Sequence, residues 1–453
     1  MRLWKTPYSA GRVRLASGVA ATAAVLALTG CGAGGTAAPN STGSAPGGSA
    51  AAGGSLTVLV EAGGHGELQP IADKFTQETG TKVTFVELPY SGLYDRINSE
   101  LSSGNVDFDV AALDAVWLTA FKDGVQPIDG LFTDQVKSDM FPSLLAEAQA
   151  GGHFIGMPAW TNAELLFYRT DLFKDAAKQA AFKAKYGYDL AAPATWQQYN
   201  DIAKFFTADS ASANGGTPKL YGADVKGNVE TEWLAAVLQA GDKHMVLDDK
   251  GNVIVNDAAH KTALDYYVQL ATKDNAAPAG AAQIDWGAAQ NLFNQGNLAI
   301  TRFWAHAYTQ IPKDSPVYGK VGVVPMPAGP GGVAATPGAW YLSVPKAAKQ
   351  SDLSKQFIAF AEKNNALSLT SSLGLAATKS ALQSDAGQPG HENLQPLIDT
   401  LNAAGTAPRP ANAKWQQIVD SVLVPMLQKA VTPGQDNQKL LDDAKTQIQG
   451  ILG

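Results

Sequence analysis

The chain has 453 residues, a formal net charge of −7, 45% hydrophobic residues and a single cysteine. One cysteine excludes an intrachain disulfide framework, so stability must come from a packed core. The acidic balance disfavours nucleic acid and anionic lipid as partners, and the length is more than one hydrophobic core usually serves, so two lobes are expected.

Arg2, Lys5, Arg12 and Arg14 precede an apolar run from Leu15 to Gly30, and no acidic residue occurs before Cys31. The run is short for a ~30 Å membrane core but right for a secretory signal. Leu28-Thr29-Gly30-Cys31 resembles the bacterial lipobox, so residues 1–30 are predicted to be a lipoprotein signal peptide and Cys31 the lipid-attachment residue. Loss of residues 1–30 would move the net charge from −7 to −11. Residues 31–55 are mainly Gly, Ala, Ser, Thr, Pro and Asn, the composition of a flexible tether. Gly30, Gly32 and Gly35 match G-x-G-x-x-G in spacing, but with no strand before them and no helix after, they carry no nucleotide-binding signal.

The body begins with strand character at Leu56 to Val60, a glycine turn, and a helix through Leu68, Ile71, Ala72 and Phe75 that stops at Gly80. A strand over 82–88, a helix over 93–101 and a strand over 108–113 follow. Repeated β-α-β units predict a parallel sheet with helices on both faces. Strands are then expected at 154–157 and 165–168, with helices near 197–207, 231–240, 258–272 and 287–294. Thr195 and Gln198 form a capping box at the first of these helices, which makes Trp196 a packing residue. Strand character returns at 298–303, 321–324 and 340–344. Helices are expected near 353–363, 366–372, 412–429 and 436–449.

Taken in order, several stretches resemble the carbohydrate-binding solute receptors of ATP-binding-cassette importers, the group that includes maltose-binding protein. They are Leu68 to Phe75, Asp107 to Asp114, Gly156 to Asn162 with Leu166 to Leu172, Pro193 to Trp196, Phe293 to Gly296 with Ala299-Ile300, Gly338 to Leu342, and Arg409-Pro410 with Trp415. The resemblance covers nearly the whole mature chain. It implies an α/β periplasmic-binding-protein fold, with two lobes, an interlobe cleft and several hinge crossings. The N-lobe would hold 55–160 and 340–385, and the C-lobe 161–339 and 386–453. Hinge crossings would lie near 159–162 and 337–340. It further implies a lipid-anchored monomer on the outer face of a bacterial cell membrane, which passes a di- or oligosaccharide to membrane permease subunits without catalysis, cofactor or metal.

Sugars offer apolar C–H faces and rings of hydroxyls, so a site needs flat aromatic rings and polar groups together. Trp160, Trp233, Trp304, Trp340 and Trp415 fall at segment ends or crossings that the resemblance sets beside the cleft. Polar candidates follow the strands: Glu61 and His65 after the first, Glu87 and Tyr90 after the second, Asp114 after the third. Thr161 and Asn162 sit at the first crossing, and Glu230 leads into Trp233. From these the expected ligand set is Glu61, His65, Tyr90, Asp114, Trp160, Thr161, Asn162, Glu230, Trp233, Trp304, Trp340 and Trp415. Where maltose-binding protein carries a glutamate, the first crossing here reads Trp160-Thr161-Asn162, so the particular sugar does not follow.

A secreted glycoside hydrolase would also use aromatic platforms and paired carboxylates, but no pattern singles out an acid and nucleophile pair. The six histidines show no paired ligand spacing for a metal-uptake protein. Binding of another small solute, such as a polyamine or a phosphate ester, stays open as the alternative.

Overall fold

The computed structural model describes residues 54–453; the predicted signal peptide, Cys31 and the tether up to residue 53 lie outside the described residues. Eight strands form two sheets: β1 (Ser55–Glu61), β2 (Lys82–Leu88), β3 (Val110–Asp114), β4 (Met157–Trp160), β5 (Glu164–Arg169), β6 (Ile300–Trp304), β7 (Val321–Pro325) and β8 (Trp340–Ser343). The first sheet runs β2-β1-β3-β8-β4 and the second β6-β5-β7. A two-residue hairpin, Gln149–Ala150 with His153–Phe154, stands apart from both.

In the first sheet β1 pairs in parallel with β2 and β3, as the β-α-β pattern requires, while β8 is antiparallel to both β3 and β4. The expected parallel sheet is therefore mixed. The reason is topological: β8 arrives from the second lobe rather than through a local helical crossover, and local periodicity carries no information about that. The strands β3, β4 and β8 are buried along their whole length.

The helix α1 (His65–Thr79) shows how local sequence sets an element. Its buried residues Leu68, Ile71, Ala72 and Phe75 fall at i, i+3, i+4 and i+7, one face of a 3.6-residue period. Gly80 ends it in the left-handed region at φ 74°, where a Cβ would be strained. Phe75 meets Phe357 edge-on at 5.3 Å, so Phe75→Ala would open a core cavity costing about 3–5 kcal/mol.

Two more expectations are revised. The strand expected over 154–157 is split into the hairpin strand His153–Phe154 and β4. Gly156 lies between them, where an added Cβ would fall 2.7 Å from Cβ of Tyr341. The helix expected over 366–372 is a 3-10 turn, Asn365–Thr370. Helices at Ala176–Tyr186 and Leu394–Asn402 were not anticipated, although Asp175 caps the first and Leu394, Leu397, Ile398 and Leu401 give the second an apolar stripe.

The chain passes from the first sheet to the second between Trp160 and Glu164, and returns between Pro325 and Trp340. The two passages are paired: Ala163 bridges Pro337, and Gly338 N–H donates to the Asn162 carbonyl at 2.8 Å. Among the described residues, no helix is long and apolar enough to cross a membrane.

Candidate functional site

A cavity of about 610 Å³ lies where the C-terminal ends of β1 and β3 face residues 228–231, the end of β6 and a late helical run starting at Trp415. Open ends of parallel strands are where α/β folds place ligands, because the loops there are free to vary. Of the twelve expected ligand residues, Glu61, Tyr90, Asp114, Asn162, Glu230, Trp304, Trp340 and Trp415 line this cavity. The other four do not. His65 is turned to solvent, paired with Glu87 at 2.5 Å. Trp160 is buried behind Trp340, Thr161 is buried with its hydroxyl unpartnered, and Trp233 is wholly buried in the core.

Two aromatic groups face the cavity. On the β8 side, Trp340 stacks on Trp160 at 5.8 Å and 18°, and meets Trp117 edge-on at 5.7 Å. Tyr90 lies against Trp117 at 4.9 Å. On the opposite side, Trp286 meets Trp304 at 5.5 Å and Phe303 at 4.9 Å. The Trp304 ring passes so close to the return crossing that a Cβ at Gly338 would lie 2.6 Å from it. Trp196, by contrast, stacks on Tyr266 at 3.9 Å and donates to Gln239, away from the cavity.

The polar groups are held by the protein itself. Asp114 Oδ1 accepts from Arg409 Nη2 at 2.9 Å and from Val116 N–H at 3.3 Å; its Oδ2 accepts from the Tyr90 hydroxyl at 3.0 Å. Burial, with the Asp114 charge nearby, pushes the Glu61 carboxyl up to about 7. Burial also raises Glu230, an effect opposed by Arg409.

At the crossing, Asn162 Oδ1 accepts from Ala163 N–H, so its amide nitrogen faces His306 Nδ1 at 2.7 Å and donates to it. That leaves the His306 proton on Nε2. Burial lowers His306 to about 4, which keeps this ring neutral and a hydrogen-bond donor.

Trp286, Arg409, His306, Gln290, Gln416 and Asp420 also line the cavity and were not among the expected site residues. Arg409 stood inside a quoted motif, and that was the available signal. Gln416 and Asp420 were hidden by a local irregularity, whereas Trp286 and Gln290 lie on the regular helix Trp286–Asn294. The run Trp415–Ile418 continues through a π-helical turn, Val419–Leu423, into Val424–Ala430. Pro425 lacks the N–H of a regular helix and would crowd the carbonyl four residues back, a strain the wider turn relieves. Trp415, Val419 and Val424 then share the cavity face in steps of four and five, with Gln416 and Asp420 alongside. Gln416 also accepts from Trp117 Nε1 at 3.2 Å.

Behind Trp286 lies a buried ionic group. Lys226 Nζ meets Asp224 at 2.6 Å and Glu232 at 2.5 Å, and Arg302 meets Glu232 at 3.2 Å. The same ammonium lies 5.2 Å from the Trp286 ring centre, within cation–π range. This group supports the cavity wall and lies beneath it.

Asp242, Asp257 and His260 bring metal-type atoms within 4.8 Å of one another. Both His260 nitrogens already have protein partners, the Met245 carbonyl at 2.6 Å and Asp257 at 2.7 Å. The arrangement is therefore closed by the protein's own hydrogen bonds.

The model of the family described as bacterial extracellular solute-binding protein matches residues 62–366. A probable ABC transporter-binding protein of Deinococcus radiodurans is 32% identical over 305 residues, 64% of this chain and 67% of that protein. The mannitol-binding protein of Pseudomonas aeruginosa is 25% identical over 223 residues, 48% of this chain and 46% of its own length. Among solved structures, maltose-bound MalE3 of T. maritima superposes with a TM-score of 0.70 at 23% identity, covering 88% of this chain and 99% of that one. At that identity the likeness speaks for the shared two-lobe fold.

Proposed function

Because the chain belongs to the bacterial extracellular solute-binding proteins of ABC transporters, which bind and are not enzymes, we propose that its cleft takes a carbohydrate for delivery to an ABC permease. The observation that carries this reading is the pairing of stacked indoles with fixed polar groups in one cavity. Trp286, Trp304 and Trp340 offer ring surface, while Asp114, Arg409, Asn162 and His306 offer donors and acceptors. Aromatic faces suit the apolar C–H sides of a pyranose, and rigidly held polar groups suit its hydroxyls. The relatives named for maltose and mannitol are consistent with a hydroxyl-rich ligand. Lipid attachment at Cys31 and action as a monomer near the permease complete the proposal.

One observation favours a second reading. Glu61, Asp114, Glu230 and Asp420 line the cavity against a single guanidinium, Arg409, so an amine-bearing solute would relieve like-charge repulsion. A thermal-shift screen of saccharides, polyols and polyamines separates the two. A saccharide at about 100 times its dissociation constant should add about 2.7 kcal/mol of stability. Stabilisation by amines alone would overturn the carbohydrate reading.

A further inference from the structure

The charges of the cavity narrow the class of sugar. We propose that the site takes a saccharide bearing a protonated amine, its ring against the indoles and its ammonium on the acidic side of the cavity at Glu61 and Glu230. The inference rests on the carbohydrate reading above and deepens it.

Of the four carboxylates lining the cavity, two are engaged by the protein. Asp114 accepts from Arg409, Tyr90 and Val116. Asp420, exposed at the rim, accepts from Gln416 Nε2 at 3.1 Å. Glu61 and Glu230 differ: among the described residues no other side chain donates to either, although both are substantially desolvated. Arg409 is the only Lys or Arg in the lining, and its Nη2 is committed to Asp114. Carboxylates desolvated without donors are costly. An ammonium group supplies three donors and the compensating charge together, whereas a neutral hydroxyl supplies one donor and no charge.

Position supports the same reading. Glu61 ends β1, and Glu230 immediately precedes the helix Thr231–Gln239 on the facing side of the cavity. A ligand cation therefore draws on acids from both faces. The same acids count against uronates and phosphate esters. The rest of the lining counts against a simple polyamine. The neutral His306 ring presents a donor at Nε2, and a protonated polyamine has no acceptor to meet it, whereas sugar hydroxyls do. The indole surfaces likewise ask for a ring with apolar C–H faces.

The test is calorimetry with sugars matched in all but one group: glucose, glucosamine and N-acetylglucosamine, the corresponding galactose and mannose sets, and the β-1,4-linked oligomers of the glucose set. Putrescine and spermidine are titrated alongside. The free amine should bind about tenfold or more tighter than both its hydroxyl and its N-acetyl counterparts, the worth of one charge-assisted hydrogen bond. The double variant Glu61→Gln with Glu230→Gln should bring the amine down to its neutral counterpart. Its melting temperature without ligand should not fall, since two carboxylates lacking donors are removed, and this reports folding. Neutral or N-acetylated sugars bound as tightly as the amine, or an amine preference that survives the double variant, would overturn this inference and leave the carbohydrate reading standing. Binding of the polyamines alone, or of nothing in the panel, would remove both.

Discussion

Arg409 donates from Nη2 to Oδ1 of Asp114 at 2.9 Å, joining the segment ahead of the C-terminal helices to the end of β3 inside the cleft. Both side chains are almost fully buried. Desolvation tends to lower Arg409, but the surrounding acids, Asp114 first, hold its pKa well above the usual range. Removing one partner leaves the other charge buried and uncompensated. Arg409→Ala should therefore cost about 3–5 kcal/mol by chemical denaturation and weaken ligand binding. A cost below about 1 kcal/mol would show that water reaches Asp114 freely.

The tryptophans should divide into two classes. Trp286→Ala and Trp340→Ala should lower saccharide affinity while leaving the fold cooperative. Trp233→Ala, within a fully buried helix (Thr231–Gln239), should destabilise by about 3–5 kcal/mol. Trp160→Ala should act on affinity through Trp340, which stacks on it. Calorimetry and thermal melts on the four variants check the division, and equal affinity in Trp286→Ala and Trp340→Ala would remove both from the site.

His306 makes stability depend on pH in a definite direction. Its native value is lowered to about 4, whereas an unfolded histidine titrates near ~6.5. Between these values the unfolded chain takes up a proton that the native ring refuses. The contribution is thus fully present above about pH 6.5 and is lost as pH falls towards 4, by roughly 1–3 kcal/mol. Glu61, raised to about 7, contributes the opposite slope in this window, so urea melts are read as a difference: the stability of the parent over His306→Gln should grow as pH rises from about 4 to about 6.5.

Lys226 offers a test of the support beneath the cleft. Its ammonium joins Asp224 and Glu232 and donates to the Arg302 carbonyl at 2.8 Å. Lys226→Met keeps the length but leaves buried Asp224 without its cation and Glu232 with Arg302 alone, so a loss of about 3–5 kcal/mol is expected. Tryptophan emission should also change through Trp286, which lies over the ammonium.

Cys31→Ala should release the protein from the membrane fraction while saccharide affinity of the mature body stays unchanged. Fractionation and radiolabelled-palmitate incorporation read the first effect, and calorimetry reads the second. Label incorporated into Cys31→Ala would place the lipid elsewhere.

Much of the element order could be read along the chain. The apolar period of α1, its Gly80 stop, the Thr195 cap and the early β-α-β sequence are local signals, and each has its counterpart in the structure. The site was less legible. Asp114 and Asn162 could be placed because they follow strands or crossings. Trp286 and Gln416 sit on helices whose facing direction depends on packing, in one case on a π turn. Trp233 shows the opposite failure: it lies only two residues from cavity-lining Thr231, yet that far along a helix its side chain points inward.

The chain by itself determined where many of the strands and helices begin, that one cysteine precludes an intrachain disulfide framework, and that aromatic and acidic residues are plentiful at segment ends. These follow from periodicity, capping and composition, which act over a few residues. Only the tertiary structure decided that Arg409 reaches Asp114 across 295 positions and that His306 accepts from Asn162. Such relations depend on which sheet a returning strand joins and how two lobes face each other, and these are set by the burial of whole surfaces rather than by any local pattern.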